Sequence, residues 1–153
     1  MTFIPEPPFA EERAFTAVFL SWLVAQLAKI IRGGIKEKKF NVRWLFITGG
    51  MPSAHSATVA CLAQVSGLYY GYRSLPFLIV LIFTIITMFD AAGVRRNVGR
   101  QARILNKMLD ELYERGEVQE ERVKELLGHT PVEVFAGAFL GIAIGYLFCG
   151  IHF

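Results

Sequence analysis

Residues Gly128–Gly145 read GHTPVEVFAGAFLGIAIG. Within them His129, Glu133, Gly137, Gly141 and Gly145 recur every four residues, which places them along one slowly drifting face of a helix. The three glycines form a doubled small-xxx-small pattern, the signature of membrane helices that approach backbone to backbone. At the start of the same face an imidazole and a carboxylate stand at i and i+4, close enough to interact. An apolar helix with a packing face of glycine and a polar pair at its mouth belongs in a membrane, next to another helix.

The rest of the chain agrees. It has 153 residues, enough for one domain, and is 54% hydrophobic with a mean hydropathy of +0.43. Four apolar stretches stand out: Ala14–Ile31, Ala54–Tyr72, Leu75–Phe89 and Val132–Phe153. A membrane crossing needs about 20 mostly apolar residues, which the first and last satisfy alone and the middle two with flanking residues. The rival is a soluble bundle with buried helices; long, nearly charge-free windows argue against it. The expected fold class is all-α: an integral membrane helical bundle with about four transmembrane helices. It forms a single membrane domain over 1–153, with spans at about 14–31, 54–72, 75–94 and 131–151 and a cytoplasmic amphipathic helical segment at about 95–128.

The opening MTFIPEPPFAEER carries Glu6, Glu11 and Glu12 and no basic region ahead of the apolar run, so the first run is expected to stay as an anchor. Cys61 and Cys149 fall inside apolar runs and make no disulfide framework. Four spans put both termini and the turn near Gly71–Ser74 on one side. Of the 16 Lys and Arg, Arg13 and Arg73 lie there, and all the others lie on the opposite side. That side is therefore cytoplasmic, in a plasma (inner) membrane. The basic pI of about 9.0 then reads as topology. Nucleic-acid binding ranks low, because acids interleave the bases over 95–125 and no nucleic-acid module is present.

On the cytoplasmic side, Thr48–Ser56 reads TGGMPSAHS. A Gly-Gly loop feeding a helix start leaves backbone N–H groups that favour an anion, with Pro52 suited to the first helical turn and Ser53, His55 and Ser56 beside it. The helix that follows carries Ser53, Ala57, Ala60, Gln64 and Gly67 as a small-residue stripe, expected to face another helix. The segment RGGIKEKK (32–39) closes the first span at Gly33-Gly34. The third span ends in FDAAGVRRNVGRQ, with Asp90 at the rim and Arg95 and Arg96 as its nearest partners. Over 97–127, Val98, Leu105, Met108, Leu109 and Leu112 make an apolar packing stripe on an amphipathic helical hairpin.

Lys36, Arg43, Ser53, His55, Arg95, Arg96, His129 and Glu133 can thus converge on one side. Two histidines, a carboxylate and several cations suit phosphoryl transfer without a metal. Glu133 would fix the tautomer of His129, whose other nitrogen attacks phosphorus, while His55 serves as acid and then base. The cations and loop N–H groups would hold the phosphoryl oxygens. A zinc site is the rival use of these histidines and Glu133, but there is no HExxH, no CxxC and no carboxylate cluster, so no metal and no cofactor is expected.

These residues resemble the type 2 phosphatidic acid phosphatase superfamily, which includes the vanadium haloperoxidases, and more closely its small divergent membrane branch. Lys36 and Arg43 match the spacing of the K-x6-R-P motif, with Trp44 in place of the proline. Pro52-Ser53-Ala54-His55 matches PSGH with one small change. His129, Glu133, Val134 and Gly137 match H-x3-D-V-x-x-G, with Glu for Asp. Where the family has Ser-Arg, this chain has Arg122 and Val123, so Lys124, or Arg95 or Arg96, would supply that charge. The DAAGVRRNVG stretch looks characteristic of the divergent branch. The resemblance implies a nucleophilic His129, an acid His55 and an orienting Glu133, with Lys36, Arg43, Ser53, Arg95, Arg96 and Lys124 on the phosphate. It implies a lipid phosphatase acting on a lipid phosphate monoester or a pyrophosphate such as polyprenyl diphosphate through a phosphohistidine. Its partners would be the membrane and a second copy through the glycine-rich helix faces. The rival is a non-catalytic membrane binding or scaffold protein that keeps the phosphate pocket; the missing Ser-Arg pair favours it.

Overall fold

A computed structural model describes residues 10–37, 50–114 and 128–150. All of the regular structure among them is helical: α1 (Ala10–Glu37), α2 (Ala54–Tyr70), α3 (Leu75–Phe89), α4 (Arg95–Glu114) and α5 (Pro131–Gly145). One turn of π-helix, Asp90–Val94, joins α3 to α4 without a loop, and another, Tyr146–Gly150, extends α5.

Local chemistry sets the ends. Ser53 caps α2 and Ser74 caps α3, each hydroxyl accepting a backbone N–H three residues on. Gly71, at φ 85°, stops α2 in a conformation that other residues avoid. Pro52 does not enter the first helical turn as expected. It precedes the cap, behind a cis Met51–Pro52 bond, because Ser53 holds the capping position. Gly33-Gly34 does not end α1 either; the helix runs through both to Glu37. Each interior glycine costs only about 1 kcal/mol, which a long, otherwise continuous helix absorbs.

α2 is the central rod, with α1, α3 and α5 packed around it. α3 returns antiparallel to it, and the Thr84 hydroxyl donates to the Val59 carbonyl at 3.0 Å. α1 is also antiparallel to α2. Near its start Ala17 shares a buried cluster with Cys61 and Val65, and further along Ala25 shares another with Ala54 and Ala57. α5 runs parallel to α2, with Gly137, Gly141 and Gly145 against Ser53, Ala57 and Cys61 in turn. The small-residue stripe of α2 therefore does meet a helix, and the glycine face of α5 is occupied within the chain.

Size sorts the residues in reverse of a soluble protein. The interior holds Ala17, Ser21, Ala25, Ala57 and Cys61, all wholly buried, while Phe15, Phe89, Phe135 and Phe139 are each more than 60% exposed. In water this arrangement would expose a large apolar surface; in a bilayer the large side chains meet lipid and the small ones let helices touch. Among the described residues, three helices are long and apolar enough to cross: Glu11–Ile35, Leu75–Leu112 and Pro131–Gly150. α2 has 17 residues, roughly 25 Å of rise, short of the ~30 Å hydrocarbon core. Its flanks do not lengthen it, because Ser53 and Gly71 fix both ends, and its neighbours shield it from lipid. The chain is an all-α membrane bundle.

The apolar stripe on α4 is split among the described residues: Leu109 and Leu112 are half-buried. Val98, Leu105 and Met108 are exposed, and the buried face carries Gly99, Ala102 and Asn106 instead. The second arm of the expected hairpin lies outside the described residues.

Candidate functional site

The parallel run of α2 and α5 brings their N-termini side by side. The link is direct: the Ser53 N–H donates to the Glu133 carbonyl at 3.0 Å. The close approach lower down, where glycine stands against backbone, makes that bond possible.

α5 opens on Thr130 with a capping box. The Thr130 hydroxyl accepts the Glu133 N–H at 3.4 Å, and Glu133 Oε2 accepts the Thr130 N–H at 3.0 Å. The same Oε2 lies 3.3 Å from His129 Nδ1. One carboxylate oxygen therefore pins the helix start and holds the imidazole, an arrangement in which Nδ1 donates to the carboxylate. The T-x-x-E spacing of Thr130 and Glu133 was the signal for this cap, and sequence reading passed over it in favour of the His–Glu pair.

His129 is buried at 3% exposure. Its backbone N–H donates to the Ala91 carbonyl at 3.2 Å, tying the α5 entry to the π-helical turn after α3. A π-turn offers carbonyls that an α-helix would keep for itself, and such turns recur at functional sites. Nothing in the residues announced this one.

The expected site residues fall as follows. His129 and Glu133 are in contact. His55 lies in the first turn of α2, two residues past the Ser53 that bonds Glu133, and its side chain is exposed. Ser53 is wholly buried, and its hydroxyl accepts from the Ser56 N–H and hydroxyl at 3.4 and 3.0 Å. Ser53 thus builds the helix start rather than lining an opening. Lys36 belongs to the last turns of α1, and Arg95 opens α4, followed by a half-buried Arg96. Arg43 and Lys124 lie outside the described residues. Lys29 of α1, which the sequence marked only as a cation at the edge of the first span, is half-buried.

Beside this cluster, an open apolar groove of about 390 Å³ runs between α3 and α5, lined by Ile85, Met88, Phe89, Ala92, Pro131, Val134 and Phe135. Four elements thus meet at one end of the bundle: α1, α2, the π-turn and α5.

A small helical membrane protein with a His–Glu pair at paired helix starts defines a narrow class, and comparison names it. The chain belongs to the Divergent PAP2 family, whose model matches residues 10–144. It is also 38% identical over 133 residues to the uncharacterized membrane protein YuiD of Bacillus subtilis (strain 168), across 80% of this chain and 84% of that protein. No solved structure matches. The family match bears out the resemblance read from PSAH and HTPVEVFAG.

Proposed function

We propose that the protein hydrolyses a lipid phosphate monoester or a lipid pyrophosphate through a phosphohistidine on His129. The observation that carries this is the 3.3 Å contact between His129 Nδ1 and Glu133 at a helix start bonded to the helix start that bears His55. In the first step, His129 Nε2 bonds to phosphorus as the phosphorus–oxygen bond to the leaving group breaks. His55 gives that oxygen its proton. In the second, water attacks the phosphohistidine, His55 takes the water proton, and inorganic phosphate departs with His129 restored. Glu133 offsets the positive charge that grows on the imidazole. Arg96, with Arg95, Lys36, Arg43 and Lys124, is assigned to the phosphoryl oxygens.

The groove supports a lipid substrate. Its lining is wholly apolar and begins at Pro131, two residues from His129, so a hydrocarbon chain can lie there while its head group meets the polar rim. The test is phosphate release by purified protein, without added metal, from phosphatidate, phosphatidylglycerol phosphate and a polyprenyl diphosphate. Release from at least one is expected; none from any would leave a phosphate-binding membrane protein as the better reading.

That second reading has its own support, since the capping box gives Glu133 a structural task. Glu133→Gln separates the two. Glutamine can still cap the helix, so the melting temperature should stay near that of the wild type. Loss of the charge behind His129 should lower phosphate release by at least about 10²-fold. Unchanged release would mean that Glu133 only caps.

The site is assigned to the cytoplasmic face of the plasma membrane on the charge asymmetry alone. Lys107 is exposed on α4, and both cysteines are buried, so background labelling is low. A Lys107→Cys protein should react with a membrane-impermeant maleimide in inverted vesicles and not in intact cells. Reaction in intact cells would reverse the orientation.

A further inference from the structure

Lys29 stands at the edge of the first span, where hydropathy alone gives it no more than a part in topology. The packing of α1 gives it another. Ala17, Ser21, Ala25 and Lys29 recur every four residues on one face of that helix. Ala17 lies in the buried cluster with Cys61 and Val65. One turn on, the Ser21 hydroxyl lies 3.4 Å from the Ala57 carbonyl. A further turn on, Ala25 shares a buried cluster with Ala54 and Ala57. α1 therefore climbs α2 toward its N-terminus, and the next turn brings Lys29 to the level of Ser53, where the backbone of α2 bonds to Glu133. An electrostatic influence of Glu133 on Lys29 is consistent with that placement.

We propose that Lys29 is a substrate-binding residue of the His129 site, meeting the phosphoryl oxygens from the α1 side. This rests on the phosphatase reading above and deepens it. The motif spacing pointed instead to Lys36. Lys36 lies on nearly the same face but seven residues further along the helix, roughly 10 Å beyond. A lysine suits the nearer position, because its apolar stem can lie along the helix while the ammonium stays at the polar rim. Glu133 cannot serve Lys29 alone, since its Oε2 already faces His129 Nδ1 and the Thr130 N–H. A phosphoryl group entering beside His129 brings the ammonium further acceptor oxygens.

The experiment uses the full chain in detergent micelles and orthovanadate, a tetrahedral oxyanion, as the probe. Lys29→Gln should weaken vanadate binding about 10- to 100-fold, the scale of one lost charge-assisted hydrogen bond. It should raise the KM for lipid phosphate more than it lowers kcat, and Lys29→Arg should recover most of the affinity. Vanadate should also slow reductive methylation of Lys29 in the wild type, and leave Lys107 unaffected; this measurement does not depend on any variant folding. Equal vanadate affinity in Lys29→Gln and wild type, or equal methylation of Lys29 with and without vanadate, overturns the proposal and makes Lys29 a counter-ion of Glu133. A wild type that neither binds vanadate nor releases phosphate sinks the phosphatase reading, and this inference with it.

Discussion

Alanine at position 129 is expected to lower phosphate release by at least about 10³-fold while the bundle stays folded. The size of the effect follows from what the imidazole is asked to do. As the proposed nucleophile it would form the bond to phosphorus, and alanine offers no lone pair to do so. The fold should survive because the links at the α5 start are mostly backbone. The His129 N–H still reaches the Ala91 carbonyl, and the Thr130–Glu133 capping box needs no imidazole. The change does open a cavity at a buried position. His129→Asn is the companion variant: it fills part of the space, and its amide can donate to Glu133 while offering phosphorus no nucleophile. Both variants should be inactive in a phosphate-release assay on a lipid that the wild type hydrolyses. Release from either at the wild-type rate would remove His129 from the reaction.

The residues announced some of this site and hid the rest, for definable reasons. The four apolar runs and the fourfold spacing of Gly137, Gly141 and Gly145 were legible because a helix crossing a membrane has to satisfy its backbone internally and pack with small side chains. The His129–Glu133 pair was legible because i and i+4 share a face wherever the helix sits. The direction in which Lys29 lies was hidden because linear hydropathy reports depth and not direction. Its four-residue spacing from Ala25 and Ser21 was in plain view, but that spacing points somewhere only once α2 is known to lie there. The π-turn at Asp90–Val94 was not legible, since Ala91, Ala92 and Val94 suit an ordinary helix turn and Gly93 only weakly disfavours one. Gly33-Gly34 misled for the opposite reason: glycine is a weak preference for a helix end, and the surrounding helix outweighs it.

The second large effect belongs to the glycines. A Cβ at Gly141 would overlap the Ala57 carbonyl oxygen and stand 2.8 Å from its carbon and 2.9 Å from the Cys61 nitrogen. At Gly137 it would overlap the Ser53 carbonyl oxygen. Both obstacles are α2 backbone, which cannot rotate aside, so the two helices must separate. Gly141→Ala is therefore expected to cost about 1–3 kcal/mol, and Gly141→Leu more. Gly145→Ala should cost less, because its Cβ would meet the Cys61 carbonyl at 3.2 Å and otherwise the flexible Gln64 side chain. Gly93 is the control: nothing lies within 4 Å of its added Cβ, and alanine there should be neutral or stabilising by up to about 1 kcal/mol. Melting temperatures in micelles should rank Gly93→Ala at or above wild type, then Gly145→Ala, then Gly141→Ala. Gly141→Ala melting with the wild type would mean that α2 and α5 are not in backbone contact. Activity adds a second axis, because Gly137 lies one turn from Glu133 and against the residue that bonds it. Gly137→Ala should push apart the helix starts that carry His55 and His129. Compared at a temperature where both variants remain folded, it should therefore lose far more phosphate release than Gly145→Ala, whose contact lies two turns further from the site.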